Sequence, residues 1–279
     1  MKSWEGNMEP NDELREKVEY YKRMGHQVPK WKYVKTPEQI EGIRASGVIN
    51  TGVLDYVSER IREGVTTQEI DDWVAEYTEA HDAICAPYHY EGFPKHVCVS
   101  INDVVCHGIP STKRVLKEGD IVNVDVTTIY KGYYADASRM FVIGKTTPEN
   151  ERLIRVCKQC LDLGLEAVKP WGFLGDVGYI IEQHASRNGF KVVRDFGGHG
   201  VGIEFHEDPF VYHYGKKNTG CLIVPGMTFT IEPMLNFKKS GVRVSALDGW
   251  TVYTKDGLPS AQWEYTVAVF EDHCEILSK

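Results

Sequence analysis

Four carboxylates and one histidine stand in stretches whose patterning would bring them onto protected faces. In residues 121–127, Val122, Val124 and Val126 alternate with Asn123, Asp125 and Thr127. That period of two describes a strand with one apolar face and a carboxylate on the other. Tyr130-Lys131-Gly132 suits a tight turn, and residues 134–138 supply a return strand carrying Asp136. With a two-residue loop, Asp125 falls opposite either Asp136 or Ser138. The two aspartates then share a face, roughly 5–8 Å apart. Facing carboxylates repel and are costly to bury, so the pair needs a shared proton or a divalent cation. In residues 227–233, Met227, Phe229 and Ile231 alternate with Thr228, Thr230 and Glu232, and Pro233 ends the run. In residues 262–267, Glu264 takes the face opposite Trp263, Tyr265 and Val267. His199 lies in Gly197-Gly198-His199-Gly200-Val201-Gly202, expected as a loop where little bulk keeps backbone away.

Any one of these acids alone reads as a surface residue. Together, Asp125, Asp136, His199, Glu232 and Glu264 form a hard, oxygen-rich donor set with a single imidazole. Such a set suits two divalent transition ions sharing carboxylates about 3.5–4 Å apart, an arrangement that activates water for hydrolysis. A structural zinc site would favour thiolates instead. Cys157 and Cys160 do form a C-x-x-C, but inside a helical pattern and without a second pair, so core or surface thiols are expected. No phosphate-binding loop, G-x-S-x-G elbow or EF-hand loop competes.

The elements that must position these groups follow a repeated plan. Asn11 or Asp12 can cap a first helix running to Met24, with Gly25 as its stop. Thr36-Pro37-Glu38 is a helix start, and Ile40, Ile43, Val48, Ile49, Val53, Val57 and Ile61 predict a core-facing stripe ending at Gly64. Thr66 and Glu69 form a capping-box pattern for a helix to about Ala80. The triplet then recurs as Thr147-Pro148-Glu149, followed by a helix to Pro170, a shorter one around 177–185 and strand-like residues 191–193. Two helices then strands, twice over, predict a duplicated α+β unit with the reactive groups between its halves.

Composition narrows the function classes. An apolar fraction of 42% with 26% charged residues is ordinary for a globular chain. A net charge of −8 without a dense basic run argues against nucleic acid as the main partner. No run approaches a membrane span, and the charged N-terminus lacks a signal-peptide core. Seven scattered cysteines, an odd number, suit reduced thiols in a cytoplasm.

Several segments together resemble the methionine aminopeptidases. Val124-Asp125-Val126-Thr127, Ala135-Asp136-Ala137-Ser138, Gly198-His199-Gly200-Val201-Gly202, Thr230-Ile231-Glu232-Pro233-Met234 and Gln262-Trp263-Glu264-Tyr265-Thr266 look like the five metal-ligand motifs of that family. Residues 102–110, with His107, look like its upstream histidine motif. The resemblance implies a duplicated pita-bread (creatinase/aminopeptidase) α+β fold with pseudo-two-fold related halves and a central antiparallel sheet. Residues 1–35 would be a helical extension and 36–279 the catalytic domain, in halves of about 36–145 and 146–279. Asp136 and Glu264 would bridge two divalent ions (Co, Mn, Fe or Zn), Asp125 would complete one, and His199 with Glu232 the other. Glu232 would take a proton from the attacking water. His107 and His206 would contact substrate and stabilise the tetrahedral intermediate. Tyr90, Phe93, Cys98, Phe205 and Trp250 would line the methionine pocket.

The seven-residue step from His199 to His206, with no long insertion after Phe205, resembles type I. Residues 1–35 hold no cysteine, so the zinc modules of eukaryotic cytosolic members are not expected. The implied substrates are nascent polypeptide N-termini beginning with Met and having a small second residue. A transient ribosome contact and a monomeric state are expected with them. Three alternatives stand beside this: an X-Pro aminopeptidase of the same fold, a non-catalytic binding relative, and a carboxylate-dyad hydrolase without metal.

Overall fold

The computed structural model describes residues 12–279. Helix α1 (Asp12–Arg23) has acids in its first turn and bases in its last, as the helix dipole favours. Gly25 follows with a left-handed φ of 86°. Asn11, the other expected cap, lies outside the described residues. Val18 is buried, and the Lys17 ammonium sits 3.8 Å over the Trp171 ring. Helix α1 is thus packed against the rest of the described chain.

Helix α2 (Pro37–Ser58) opens on a full capping box: the Thr36 hydroxyl accepts from Gln39 N–H, and the Gln39 side chain accepts from Thr36 N–H. It stops six residues short of Gly64, so Ile61 packs from the following turn rather than from the helix. Val48, expected on the core stripe, is 68% exposed. The buried stripe runs instead through Ile43, Gly47, Asn50, Leu54 and Val57. Two of its members are there for backbone rather than apolar contact. A Cβ on Gly47 would sit 2.0 Å from Leu277 O. The Asn50 amide donates to Val126 O (2.7 Å) and Ala135 O (2.6 Å). Helix α3 (Thr67–Ala80) carries the expected Thr66–Glu69 box.

Strands β1 (Ile84–Cys85), β2 (Cys98–Ile101) and β3 (Val104–Cys106) lead to a long antiparallel hairpin of β4 (Ile121–Tyr130) and β5 (Tyr133–Val142). A second helix pair follows. Helix α4 (Pro148–Ala167) is capped by Thr147, and α5 (Leu174–Arg187) begins three residues before the expected start. The pairs match in length, 22 and 14 residues against 20 and 14. Cys157 and Cys160 are buried in α4, which settles them as core thiols.

The remaining strands are β6 (Lys191–Val192), β7 (Gly198–Gly200), β8 (Glu207–Val211), β9 (Thr228–Ile231) and β10 (Met234–Asn236). They continue as β11 (Val242–Val244), β12 (Val252–Thr254), β13 (Ser260–Gln262), β14 (Tyr265–Val269) and β15 (Cys274–Ser278). One sheet groups β1, β4, β2 and β5; another runs β15-β14-β9-β7-β8. One apolar cluster lies between α2–α3 and the hairpin, and another between α4–α5 and the β9–β14 region. The two sheets are joined edge to edge where Ser138 bridges to Glu264.

Candidate metal centre and substrate cavity

The hairpin has the two-residue loop that parity required. Lys131 and Gly132 carry φ values of 50° and 86°, the signs of the turn whose twist matches a hairpin. Asp125 pairs with Ser138 and Thr127 with Asp136, so the two aspartates are diagonal neighbours on one face. Beside them, Glu264 N–H donates to Ser138 O (3.2 Å). The Thr266 hydroxyl accepts from Asp136 N–H (3.0 Å) and donates to Asp136 O (2.8 Å). These bonds join β14 to β5. Glu264 therefore stands at an isolated bridge between β13 and β14 rather than within a strand, and Glu232 lies one residue past the end of β9.

His199 was expected in a loop; it lies on β7, paired opposite Phe210. Its N–H donates to Thr230 Oγ1 (3.0 Å), whose own proton goes to Glu232 Oε1 (2.8 Å). A Cβ on Gly198 would meet Thr230 O at 2.3 Å, so only glycine allows this approach. His199 Nδ1 lies 2.9 Å from Gly200 O. Donating there leaves the lone pair on Nε2. That atom faces Asp136 Oδ2 at 3.8 Å and Glu232 Oε1 at 3.7 Å.

Asp136, Glu232 and Glu264 are buried. Among the described residues, no lysine or arginine pairs with any of the four acids. Burial, reinforced by the neighbouring carboxylates, raises Asp136, Glu232 and Glu264 well above the usual range. Burial pushes Asp125 up to about 7. Asp136 Oδ1 has no hydrogen-bond partner. Ligand atoms of Asp136, His199 and Glu264 lie within 4.8 Å of one another. Concentrated negative charge without a protein counter-ion, an orphaned oxygen and an imidazole lone pair together fit divalent cations.

All twelve site residues read from sequence line one cavity of about 580 Å³. His107, with a left-handed φ of 56°, sets its ring 5.5 Å from Phe196 and 5.9 Å from Trp250. Trp250 meets Phe93 edge-on at 5.2 Å. His206 stacks on Phe205 and approaches His199, both at 4.3 Å, and its Nδ1 lies 3.0 Å from Tyr90 Oη. Burial lowers all three imidazoles: His107 to about 4, His199 to about 3, and His206 in the same direction. Cys98 pairs with Asp125 across the β2–β4 ladder, so it shares that face.

Sequence reading missed the residues that hold the acids. Thr230 and Thr266 share parity with Glu232 and Glu264, a signal that could have found them. Gln262 donates its amide to Glu232 Oε2 (3.3 Å). His213, buried, accepts Glu232 N–H at Nε2 (3.1 Å) and is held neutral by burial, down to about 3. Its setting, Tyr212-His213-Tyr214, carries no pattern that betrays this. Phe196, Cys106 and Met234 also line the cavity unforeseen.

The family model for metallopeptidase family M24 matches residues 41–271. The chain belongs to metallopeptidase family M24. Methionine aminopeptidase A of Synechocystis is 51% identical over 240 residues, covering 86% of this chain and 94% of that protein. Methionine aminopeptidase of Escherichia coli K12 is 47% identical over 247 residues, 88% of this chain and 93% of that one. The crystal structure of methionine aminopeptidase from Rickettsia prowazekii superposes with a TM-score of 0.86 at 43% identity, over 88% of this chain and 99% of that chain. Prolidase from Pyrococcus furiosus, 23% identical, shares the fold at 0.70 over 65% of its length. This M24 member therefore has the α+β pita-bread fold expected of it, and it is a metal-dependent aminopeptidase.

Proposed function

We propose that this chain removes the initiator methionine from nascent polypeptides whose second residue is small. The observation that carries the reading is the joint placement of five oxygen and imidazole donors on the floor of one cavity walled by neutral histidines and aromatic rings. Residues 36–279 would form the catalytic domain, in halves of about 36–145 and 146–279, with 1–35 as its extension. Asp136 and Glu264 would be shared by two divalent ions (Co, Mn, Fe or Zn), Asp125 completing one site and His199 with Glu232 the other. Bound ions would supply Lewis acidity, polarising the scissile carbonyl and acidifying water.

The chain's own residues do the rest. Glu232, its two oxygens held by Thr230 and Gln262, takes the proton of the attacking water. His107 and His206, neutral because burial opposes their charging, donate hydrogen bonds to the carbonyl oxygen and the neighbouring amide as charge develops. Tyr90 orients the His206 ring. Tyr90, Phe93, Cys98, Phe205 and Trp250 enclose the thioether side chain, for which aromatic edges are favourable partners.

A monomer acting in the cytoplasm, in transient contact with the ribosome, belongs to the same proposal. In its support, all seven cysteines are free thiols, and no described helix is long and apolar enough to cross a membrane. Nucleic-acid specificity is not proposed. The X-Pro alternative has in its favour a neighbour of 21% identity, which speaks for fold alone.

Rates on Met-Ala-Ser, Met-Leu-Ser and Ala-Pro-Ala test the reading. Fast release from the first, slow from the second, none from the third and loss of all activity on chelation are expected. Equal rates on the two methionyl peptides, preference for Ala-Pro-Ala, or activity surviving exhaustive chelation would overturn it.

A further inference from the structure

The loop that carries Phe205 and His206 is folded around one buried carboxylate. Glu207 Oε1 accepts from two successive backbone amides, Ile203 N–H (2.7 Å) and Glu204 N–H (2.9 Å). Its other oxygen is paired with the Lys35 ammonium, which also donates to Tyr33 O (3.1 Å). Both charged side chains are fully inaccessible, at 0% of their surface. Lys35 is itself anchored: its N–H donates to Gly226 O (2.7 Å), next to the Val34–Met227 bridge. At the loop's start, Gly202 O accepts from Tyr134 N–H (2.8 Å), and a Cβ on Gly202 would meet Ile43 and the Lys35 stem. Glu207 and Tyr33 reach the cavity wall, but none of these groups has a part in metal binding or proton transfer, and all converge on residues 202–207.

From this we infer that Glu207, its buried charge balanced by Lys35, is a positioning residue that sets the loop geometry presenting His206 and Phe205 to substrate. The inference rests on the proposed role of His206. A surface ion pair 172 residues apart in sequence would carry no such meaning, since exposed pairs contribute little. Here the pair is buried, and its carboxylate satisfies two loop amides that would otherwise be orphaned. The lysine balances the buried charge; the carboxylate oxygen fixes the turn; the turn fixes the imidazole at 4.3 Å from His199 and 3.0 Å from Tyr90 Oη. A displacement near one ångström of a positioned catalytic group costs about 10²-fold in rate.

Removing one partner leaves an uncompensated buried charge, so single variants mix positioning with stability. Two double variants separate them. Lys35→Met/Glu207→Gln removes both charges and keeps the oxygen that accepts the two amides. Lys35→Met/Glu207→Leu removes both charges and that acceptor. Turnover on Met-Ala-Ser, metal content and hydrogen exchange of the Ile203 and Glu204 amides in metal-free protein are measured for each, beside His206→Ala. The glutamine variant should keep near-parental kcat and slow exchange. The leucine variant should bind metal fully and lose kcat roughly ten- to hundredfold, KM hardly changed, with faster exchange at both amides. Lys35→Met/Glu207→Ala, read the same way, replaces a leucine variant that does not fold. Equal kcat in the two doubles, with His206→Ala impaired, would overturn the inference and leave the role of His206 standing. Parental turnover in His206→Ala would remove that role, and the inference with it.

Discussion

Inserting one glycine between Lys131 and Gly132 sets two responses of the β4–β5 hairpin against each other. The ladder can slip by one residue, or the loop can grow to three residues while the ladder stays. A slip turns one strand over. Turning β4 over would expose Val122, Val124 and Val126, all now buried against α2 and α3, at about 1.5–3 kcal/mol each. It would also break the bond from the Asn50 amide to Val126 O, worth about 1 kcal/mol. Turning β5 over would instead drive Asp136 into the apolar cluster without a partner, a comparable penalty of several kcal/mol. Lengthening the loop costs on the order of 0.4 kcal/mol in closure entropy, plus the loss of a well-matched turn.

The loop should therefore absorb the insertion. Thr127 stays opposite Asp136, and both aspartates keep their shared face. Titration calorimetry with Mn²⁺ should give parental affinity, and urea denaturation a loss of about 1 kcal/mol or less. A fall in Mn²⁺ affinity beyond tenfold, about 1.4 kcal/mol, would refute the reasoning. It would mean that the register is set by the turn and not by the buried valines.

Thr230→Val removes the hydroxyl that links His199 N–H to Glu232 Oε1; metal affinity, measured by calorimetry, should fall about 10- to 100-fold with the fold intact. Metal-free protein should melt at a lower temperature at pH 7 than at pH 5. Burial raises the four site carboxyls above their unfolded values, Asp125 to about 7. Burial also depresses His107, His199, His206 and His213, which offsets this at lower pH. The unfolded chain thus binds fewer protons than the native one only as its own histidines lose theirs, above about pH 6, and stability declines as pH rises from there. Asp125→Asn should flatten the dependence, and a melting temperature that rises with pH in that range in chelated parent protein would contradict it. Val18→Ala should cost about 1–3 kcal/mol by denaturation, because α1 buries that side chain against the core under α4 and α5.

What could be read from the sequence was what local periodicity encodes. Alternation over residues 121–127 fixed which face Asp125 takes, and Tyr130-Lys131-Gly132 marked a turn there, but the two-residue length of the loop that brings Asp136 back beside it is seen only in the ladder. The threonine caps at 36, 66 and 147 were legible because a cap acts within three residues of itself. Val48 was misplaced for a related reason. The stripe had been drawn through apolar residues alone, whereas Gly47 and Asn50 hold stripe positions by allowing close approach and by donating to the hairpin. Partners chosen across long separations left no local trace. Nothing near Lys35 announces Glu207, and nothing near His213 announces the Glu232 amide. Glu264 could be given a face, but its seat beside Ser138 at the junction of two sheets depends on how those sheets meet.

That junction also decides how the protein behaves without its ions. In small metal-nucleated domains the ligands lie on chain that has no structure until metal binds, so binding and folding are one event. Here the proposed donors lie on, or one residue from, paired backbone. Asp125 and Asp136 lie inside a ten-pair ladder, and His199 lies on β7. Glu232 and Glu264 flank the Ile231–Tyr265 pair of β9 and β14. Thr230 and Thr266 bond to the same segments from the side. Removing the ions should therefore leave the backbone geometry of the site in place. The repulsion left behind would be relieved by protons taken up among the carboxyls rather than by unfolding. The cavity is shaped by hydrogen bonds and packed rings that do not involve the ions. Withdrawing and returning metal should thus leave the proposed substrate walls already formed, which makes chelation and add-back a test of chemistry and not of folding.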